Sequence, residues 1–273
     1  MKKKLLMLLT LACMVCLTAA VMVGCSSGNE EKSEEASSFD GTLTVGFDQN
    51  FPPFGYVGDD GNYTGFDLDL AAEVCERKGW EIELNAIDWD AKDSLIDSGT
   101  IDCIWNGFTM EGREDQYSFT APYYSNSQVV LVRDNSGISS LADLEGKTVL
   151  AQVNSAAYNL LAEGGDQAEL AATFANLETI ADYNTAFMQL ESGAVDAIAL
   201  DLPVASNLIA GQEGYTILDE QLSTESYAVA FKTGNEDLAS QVEQTLREMY
   251  EDGTVEEIAS KYEAINMENW ILE

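Results

Sequence analysis

Histidine is absent from all 273 residues of this chain. That absence eliminates Ser-His-Asp and Cys-His catalysis and removes the commonest transition-metal ligand and neutral-pH acid/base. Cations are scarce too: Lys and Arg total 13 against 48 Asp and Glu, a formal charge of −35. Nucleic acid, whose recognition needs clustered cations, is excluded as a natural partner. The negative balance favours solubility and repels other anions, but it names no ligand. No serine stands three residues before a lysine, so a Ser-x-x-Lys nucleophile is missing as well. Of five cysteines, only Cys75 and Cys103 lie beyond residue 25. They read as buried thiols, although an oxidising exterior permits one disulfide.

What is present begins with Lys2-Lys3-Lys4, an apolar run from Leu5 to Val23, and Gly24 before Cys25. A positive n-region, an apolar h-region and a small residue at the cleavage point make a secretory signal. The run is also long enough for a membrane anchor, but the spacing from the charges to Gly24-Cys25 favours processing. Gly24-Cys25 resembles the lipobox of bacterial lipoproteins. That likeness implies removal of residues 1–24, a lipid such as palmitate on Cys25, and a working part held outside the cytoplasm on the cell membrane. Residues 25–40 follow as an acidic linker. With four Glu, one Asp and a single aromatic, Phe39, it cannot bury enough apolar surface to order itself.

From Thr42 onward, strand and helix patterns alternate. Strands are expected over Leu43–Phe47, Ile82–Ile87, Ile101–Asn106, Gln128–Arg133, Thr148–Val153, Thr173–Leu177, Ala197–Asp201 and Ala228–Phe231. Helices are expected from Asp67, as N-cap, to a stop at Gly79, and over Asp90–Ser98, Ser155–Glu163, Asp182–Ser192, Pro203–Ala210, Glu236–Glu251 and Val255–Glu263. Thr254 and Glu257 have capping-box spacing for the last. Such alternation predicts α/β units on largely parallel sheets, with ligand beyond the carboxyl ends of strands. Two decoys fall away. Gly146-Lys147-Thr148 lacks the first glycine of a phosphate loop, Leu141 standing in its place. Asp59-Asp60-Gly61-Asn62 lacks the alternating oxygens of a calcium loop and reads as a hairpin turn.

The loops after the strands hold Asp48 and Phe51, then Trp89, then Asn106, Gly107, Thr109 and Arg113, then Gln152, Ser155 and Ala156, and finally Asp201. Each alone has an ordinary reading: Arg113 a surface ion pair, Asp201 and Ser155 helix caps, Phe51 and Trp89 core. Their shared topological location gives them a common purpose. A guanidinium and free helix-start amides suit a carboxylate. Aspartate suits an ammonium, and aromatic faces suit an aliphatic stem or a cation. The complementary molecule is a zwitterionic α-amino acid.

Gly65-Phe66-Asp67-Leu68-Asp69-Leu70, followed by Val74-Cys75, resembles the signature of family 3 bacterial solute-binding proteins. Phe51-Pro52-Pro53-Phe54, Gly107-Phe108-Thr109 with Arg113, Pro122-Tyr123-Tyr124, Gly146-Lys147-Thr148-Val149 and Asp201 occur in that family's order, over roughly residues 41–266. The resemblance implies a type II periplasmic-binding-protein fold. Residues 41–124 and 228–273 would form one α/β lobe and 125–227 the other, with hinge strands near Tyr123–Ser127 and Glu225–Tyr227. It implies a monomer without cofactor or metal that carries a polar amino acid to an ABC permease and performs no chemistry. A dehydratase-like enzyme on the same scaffold and a ligand-sensing module are the rival readings.

The resemblance also implies roles. Arg113 and Thr109 hold the α-carboxylate, helped by amides near Ser155 and Ala156. Asp201 and the Gly107 carbonyl take the α-ammonium. Phe51 and Trp89 sandwich the side chain, with Asp48 and Gln152 at its polar end. Trp105 and Asn106 replace smaller residues in the pocket floor, and Asn154 stands where the family mostly has glycine. Asn tolerates a left-handed backbone, so that turn is expected to survive.

Overall fold

The apolar run after Thr42 enters a sheet at once. In the computed structural model, which describes residues 39–273, β1 (Thr42–Phe47) leads into three short strands, β2 (Asn50–Phe51), β3 (Gly55–Val57) and β4 (Tyr63–Thr64). The leader, Cys25 and the linker to Ser38 lie outside the described residues. β3 and β4 are joined by the turn read at Asp59–Asn62, where the Gly58 N–H donates to the Asn62 carbonyl at 2.8 Å and the Asp60 carboxylate takes the Asn62 N–H at 2.9 Å. Then come α1 (Phe66–Lys78), closed by left-handed Gly79, β5 (Glu81–Ala86), α2 (Lys92–Asp97), β6 (Cys103–Ile104), β7 (Tyr117–Phe119) and the long β8 (Tyr124–Arg133). β9 (Thr148–Gln152), α3 (Ala156–Leu161), α4 (Ala168–Ala171), β10 (Asn176–Ile180), α5 (Tyr183–Ser192), β11 (Ala197–Asp201) and α6 (Leu202–Leu208) follow. The chain finishes with β12 (Tyr215–Ile217), β13 (Ser223–Tyr227), β14 (Ala230–Lys232), α7 (Glu236–Glu251) and α8 (Thr254–Ala259).

Two mixed sheets result. The first has the order β5-β1-β6-β14-β7, with β5, β1 and β6 parallel and β14 antiparallel to β6 and β7. The second runs β10-β9-β11-β8-β12, with β10, β9 and β11 parallel and β8 antiparallel to β11. α1 packs against β5 and against α7 and α8, while α3, α5 and α6 pack on the second sheet. The connection between the sheets is a ribbon: Tyr124–Gln128 of β8 pairs antiparallel with all of β13. Gln128 is opposite both Ser223 and Asp201, so one strand serves the ribbon and the second sheet. Cys75 and Cys103 are both buried and unbridged. No helix among the described residues is long and apolar enough to cross a membrane.

Several expectations need correction. Asp67 does not cap α1; Gly65 does, at φ 144°, because a Cβ there would lie 2.2 Å from the Phe54 carbonyl oxygen. Asp67 instead turns into the core. Thr254 forms no capping box, since Gly253 precedes α8 with φ 85° and the Thr254 hydroxyl donates to Asp252 at 2.6 Å. The strand placed at Thr173–Leu177 is displaced to Asn176–Ile180. The Thr173 N–H is still held by the Leu170 carbonyl at 3.0 Å, so the helical turn must finish first. The strand read through Asn106 stops at Ile104, and the chain turns at Gly107 with φ 54°. The helix placed from Asp90 is regular only from Lys92. β2, β7, β12 and β13 are too short, or too polar, to have shown a pattern.

Candidate functional site

The turn after β6 is built from inside. The Asp67 carboxylate, fully buried, accepts the Gly107 N–H at 2.5 Å and the Tyr123 hydroxyl at 2.8 Å. Burial drives its pKa up to about 7 even though these donors oppose the shift. Gly107 cannot be replaced cheaply, because a Cβ would meet the Phe51 and Tyr227 rings at 3.1 Å at a positive φ. The segment after it is strapped to the ribbon: the Met110 N–H donates to the Ser226 carbonyl at 3.0 Å, and the Ala228 N–H to the Phe108 carbonyl at 3.0 Å.

This strapping delivers Arg113 to the interior. Its guanidinium lies 4.5 Å from the Phe108 ring centroid and donates to the Thr109 carbonyl at 2.9 Å and the Asn154 carbonyl at 3.5 Å. Only 8% of Arg113 is exposed, and among the described residues no carboxylate lies within 4.0 Å of it. Burial alone pulls its pKa below the usual guanidinium range. A buried cation without a counterion costs several kcal/mol, so an anion placed here would be stabilised.

The second sheet supplies the opposite imbalance. Asp201 ends β11 immediately before α6, yet its side chain does not cap that helix. Its Oδ1 accepts from Asn126 Nδ2 at 2.8 Å, Gln128 Nε2 at 2.7 Å and the Tyr227 hydroxyl at 2.5 Å. Glu225 Oε1 accepts from the same two amides at 2.8 Å and from the Thr109 hydroxyl at 2.9 Å. Both carboxylates are buried, and burial raises both pKa values above the ordinary carboxylate range.

Between these halves the lobes meet. Asp48 follows β1 and Gln152 ends β9; Gln152 Nε2 donates to Asp48 Oδ2 at 2.6 Å. Asn154 adopts φ 53°, the left-handed turn expected of it, and its amide reaches Asp90 at 2.5 Å. Ser155 does cap α3, its hydroxyl accepting from the Tyr158 N–H at 3.1 Å. The Ser155 N–H turns back to the Gln152 carbonyl at 3.2 Å. The amides left open at this helix start are those of Ala156 and Ala157, which a helix leaves unpaired, and of the two Ala156 lines the slot.

All eleven residues singled out in the sequence line one narrow slot, and Phe108 joins them. Asp48 and Trp89 also border a wider mouth that carries Asp88, Asp90 and Asp182. Sequence reasoning had Glu225 and Asn126 only as parts of the hinges and Gln128 only as the start of a strand, and gave none of them a place in the site. The signal of the two amides was available: they stand at alternate positions of a strand that is apolar from Val129 to Val132, pointing to a buried polar face.

The two sheets and the cleft between them have the architecture of a type II periplasmic-binding fold, and the comparisons with known proteins agree. Residues 43–264 match the family of bacterial extracellular solute-binding proteins, family 3. The L-cystine-binding protein TcyA of Bacillus subtilis is 30% identical over 92% of this chain and 96% of its own length. The L-cystine-binding protein TcyJ of Escherichia coli is 31% identical over 81% of this chain and 82% of its own. Among solved structures, a histidine-bound ABC uptake transporter substrate-binding protein from Streptococcus pneumoniae superposes with a TM-score of 0.78 at 32% identity, covering 82% of this chain and 93% of that one. An ancestral arginine-binding protein bound to glutamine superposes with a TM-score of 0.75 at 33% identity, covering 83% and 100%.

This chain belongs to the family 3 extracellular solute-binding proteins. It is similar to receptors for several amino acids.

Proposed function

We propose that the protein captures a polar α-amino acid between its lobes and presents it to the permease of an ABC importer. The observation that carries this reading is the pairing of deficits in one slot: Arg113 buried without an anion, and Asp201 buried without a cation. An α-carboxylate on Arg113, Thr109 and the Ala156 amide, with an α-ammonium on Asp201 and the Gly107 carbonyl, satisfies both. Phe51 and Trp89 flank the side chain, and Asp48, Asn106 and Gln152 meet its polar end. Each charged hydrogen bond formed contributes about 1.5–3 kcal/mol. Closure follows from contacts that the ligand makes to both lobes at once. The reading is capture without turnover, by a monomer tethered outside the cytoplasm through a lipid on Cys25.

A thermal-shift screen against the twenty amino acids and L-cystine, followed by calorimetry, tests the reading. A polar amino acid raises the melting temperature and binds one-to-one without being consumed. No shift from any of them, or turnover of the one that binds, overturns it.

A further inference from the structure

Asp201 and Glu225 are 5% and 6% exposed and share two hydrogen-bond donors, Asn126 Nδ2 and Gln128 Nε2, each at 2.7–2.8 Å from both carboxylates. Oxygens bound to one nitrogen fall within the about 4–6 Å over which carboxylates oppose each other's ionisation. The surroundings offer acceptors in excess. Asn126 Oδ1 and Gln128 Oε1, beside the pair, have no partner among the described residues, and the remaining donors are the Tyr227 hydroxyl on Asp201 and the Thr109 hydroxyl on Glu225.

No lysine or arginine among the described residues lies within 4.0 Å of either carboxylate. The charged and titratable groups facing them are Arg113 from the strapped loop, Tyr227 on β13 and Tyr183 on α5. Arg113 has its donors turned to the Thr109 and Asn154 carbonyls, and both tyrosines stay neutral because burial raises them. Two like charges in such a place cannot both persist, and a proton is the donor the cluster lacks.

We infer that Asp201 and Glu225 hold one proton between them in the free protein, and that an ammonium arriving at Asp201 expels it to solvent. Glu225 is then a positioning residue of the ligand site, and capture of an amino acid is a proton-releasing step. Charge balances: the ammonium replaces the proton as the pair's one positive partner, and no covalent bond to the ligand changes. The inference deepens the proposed amino-acid reading and rests on it.

The test has a ligand-free arm and a ligand arm. A carboxyl whose folded pKa exceeds its unfolded one contributes stability at low pH that is lost as pH rises through the folded value. Glu225→Gln cannot titrate, and its new amide can serve the open Asn126 or Gln128 oxygen. The variant therefore melts above the wild type at pH 8, and the gap closes toward pH 5. Reading the difference between the two proteins cancels Asp48 and Asp67, which also have raised pKa values.

The ligand arm is calorimetry with each of the twenty amino acids and L-cystine at pH 6 in buffers of different ionisation enthalpy. Whichever binds most tightly releases close to one proton from the wild type and far less from Glu225→Gln. The wild-type association constant climbs by up to about tenfold per pH unit below the pair's titration, and the variant's profile is flatter. Parallel melting curves, or binding that releases no proton, overturns the inference. Diverging curves with no binding by any of the amino acids support the shared proton and overturn the amino-acid reading instead.

Discussion

The two halves of the slot are electrostatic opposites. The first lobe brings a buried guanidinium whose hydrogen bonds go only to carbonyls. The second brings two buried carboxylates whose hydrogen bonds come only from amides and hydroxyls. A protein built only for stability would let these charges neutralise each other, since an unpaired buried ion costs several kcal/mol. Here the Thr109 and Asn154 carbonyls engage Arg113 while the β8 amides engage Asp201, and the charges stay apart. Stability is held back on both sides, and under the proposed function a dipolar ligand spanning the gap would recover it.

Removing the cation gives the largest expected effect. Arg113→Met keeps an apolar stem over Phe108 and deletes the charge. Binding should weaken by about 2–5 kcal/mol, as when one partner of a buried charge pair is lost. The free protein should melt at the same temperature or higher, because an uncompensated buried ion has gone. Calorimetry and melting on one preparation check both, and undiminished affinity would move the carboxylate site elsewhere.

Asp201→Asn is the mirror test on the other half. It preserves the shape that the Asn126, Gln128 and Tyr227 donors surround but removes the ammonium's partner. A loss of about 1.5–3 kcal/mol in affinity, the value of a hydrogen bond to a charged group, is expected with the fold intact. If the two losses were equal to those of a surface pair, well under 1 kcal/mol, the comparison between the halves would fail.

Much of this was legible in the sequence because charges after strands have few places to go in an α/β fold. The strand Ala197–Asp201 and the helix Glu236–Glu251 appear with the bounds that pattern alone assigned. Local pattern failed where a distant contact decides. Asp67 looked like a helix cap, but its partners, Gly107 and Tyr123, lie 40 and 56 residues away. Glu225 was hidden for the same reason: its meaning comes from Asn126 and Gln128, 99 and 97 residues before it. Periodicity sees neighbours in sequence, not a ribbon that brings β8 and β13 together.

The finest test concerns how the halves are held in register. Asn154, in the second lobe, offers its carbonyl to Arg113 at 3.5 Å and to Lys92 at 3.4 Å, while its amide reaches Asp90 at 2.5 Å. Lys92 is buried over the Trp89 ring, and burial lowers its pKa to about 8. One left-handed residue therefore joins three groups of the opposite lobe, two through its backbone and one through its side chain. Asn154→Gly keeps the φ 53° turn and both carbonyl contacts. Only the exposed link to Asp90 disappears, so affinity should fall by about 0.5–1.5 kcal/mol, the net value of one hydrogen bond. Asn154→Ala loses that link and also the side-chain amide that lets Asn tolerate left-handed backbone, which costs roughly a further 1–2 kcal/mol. The ordering Asn above Gly above Ala, measured by calorimetry, assigns the latch to backbone and side chain together. Equal losses in the two variants would assign it to the amide alone, and equal affinity in all three would leave the charges themselves to hold the lobes.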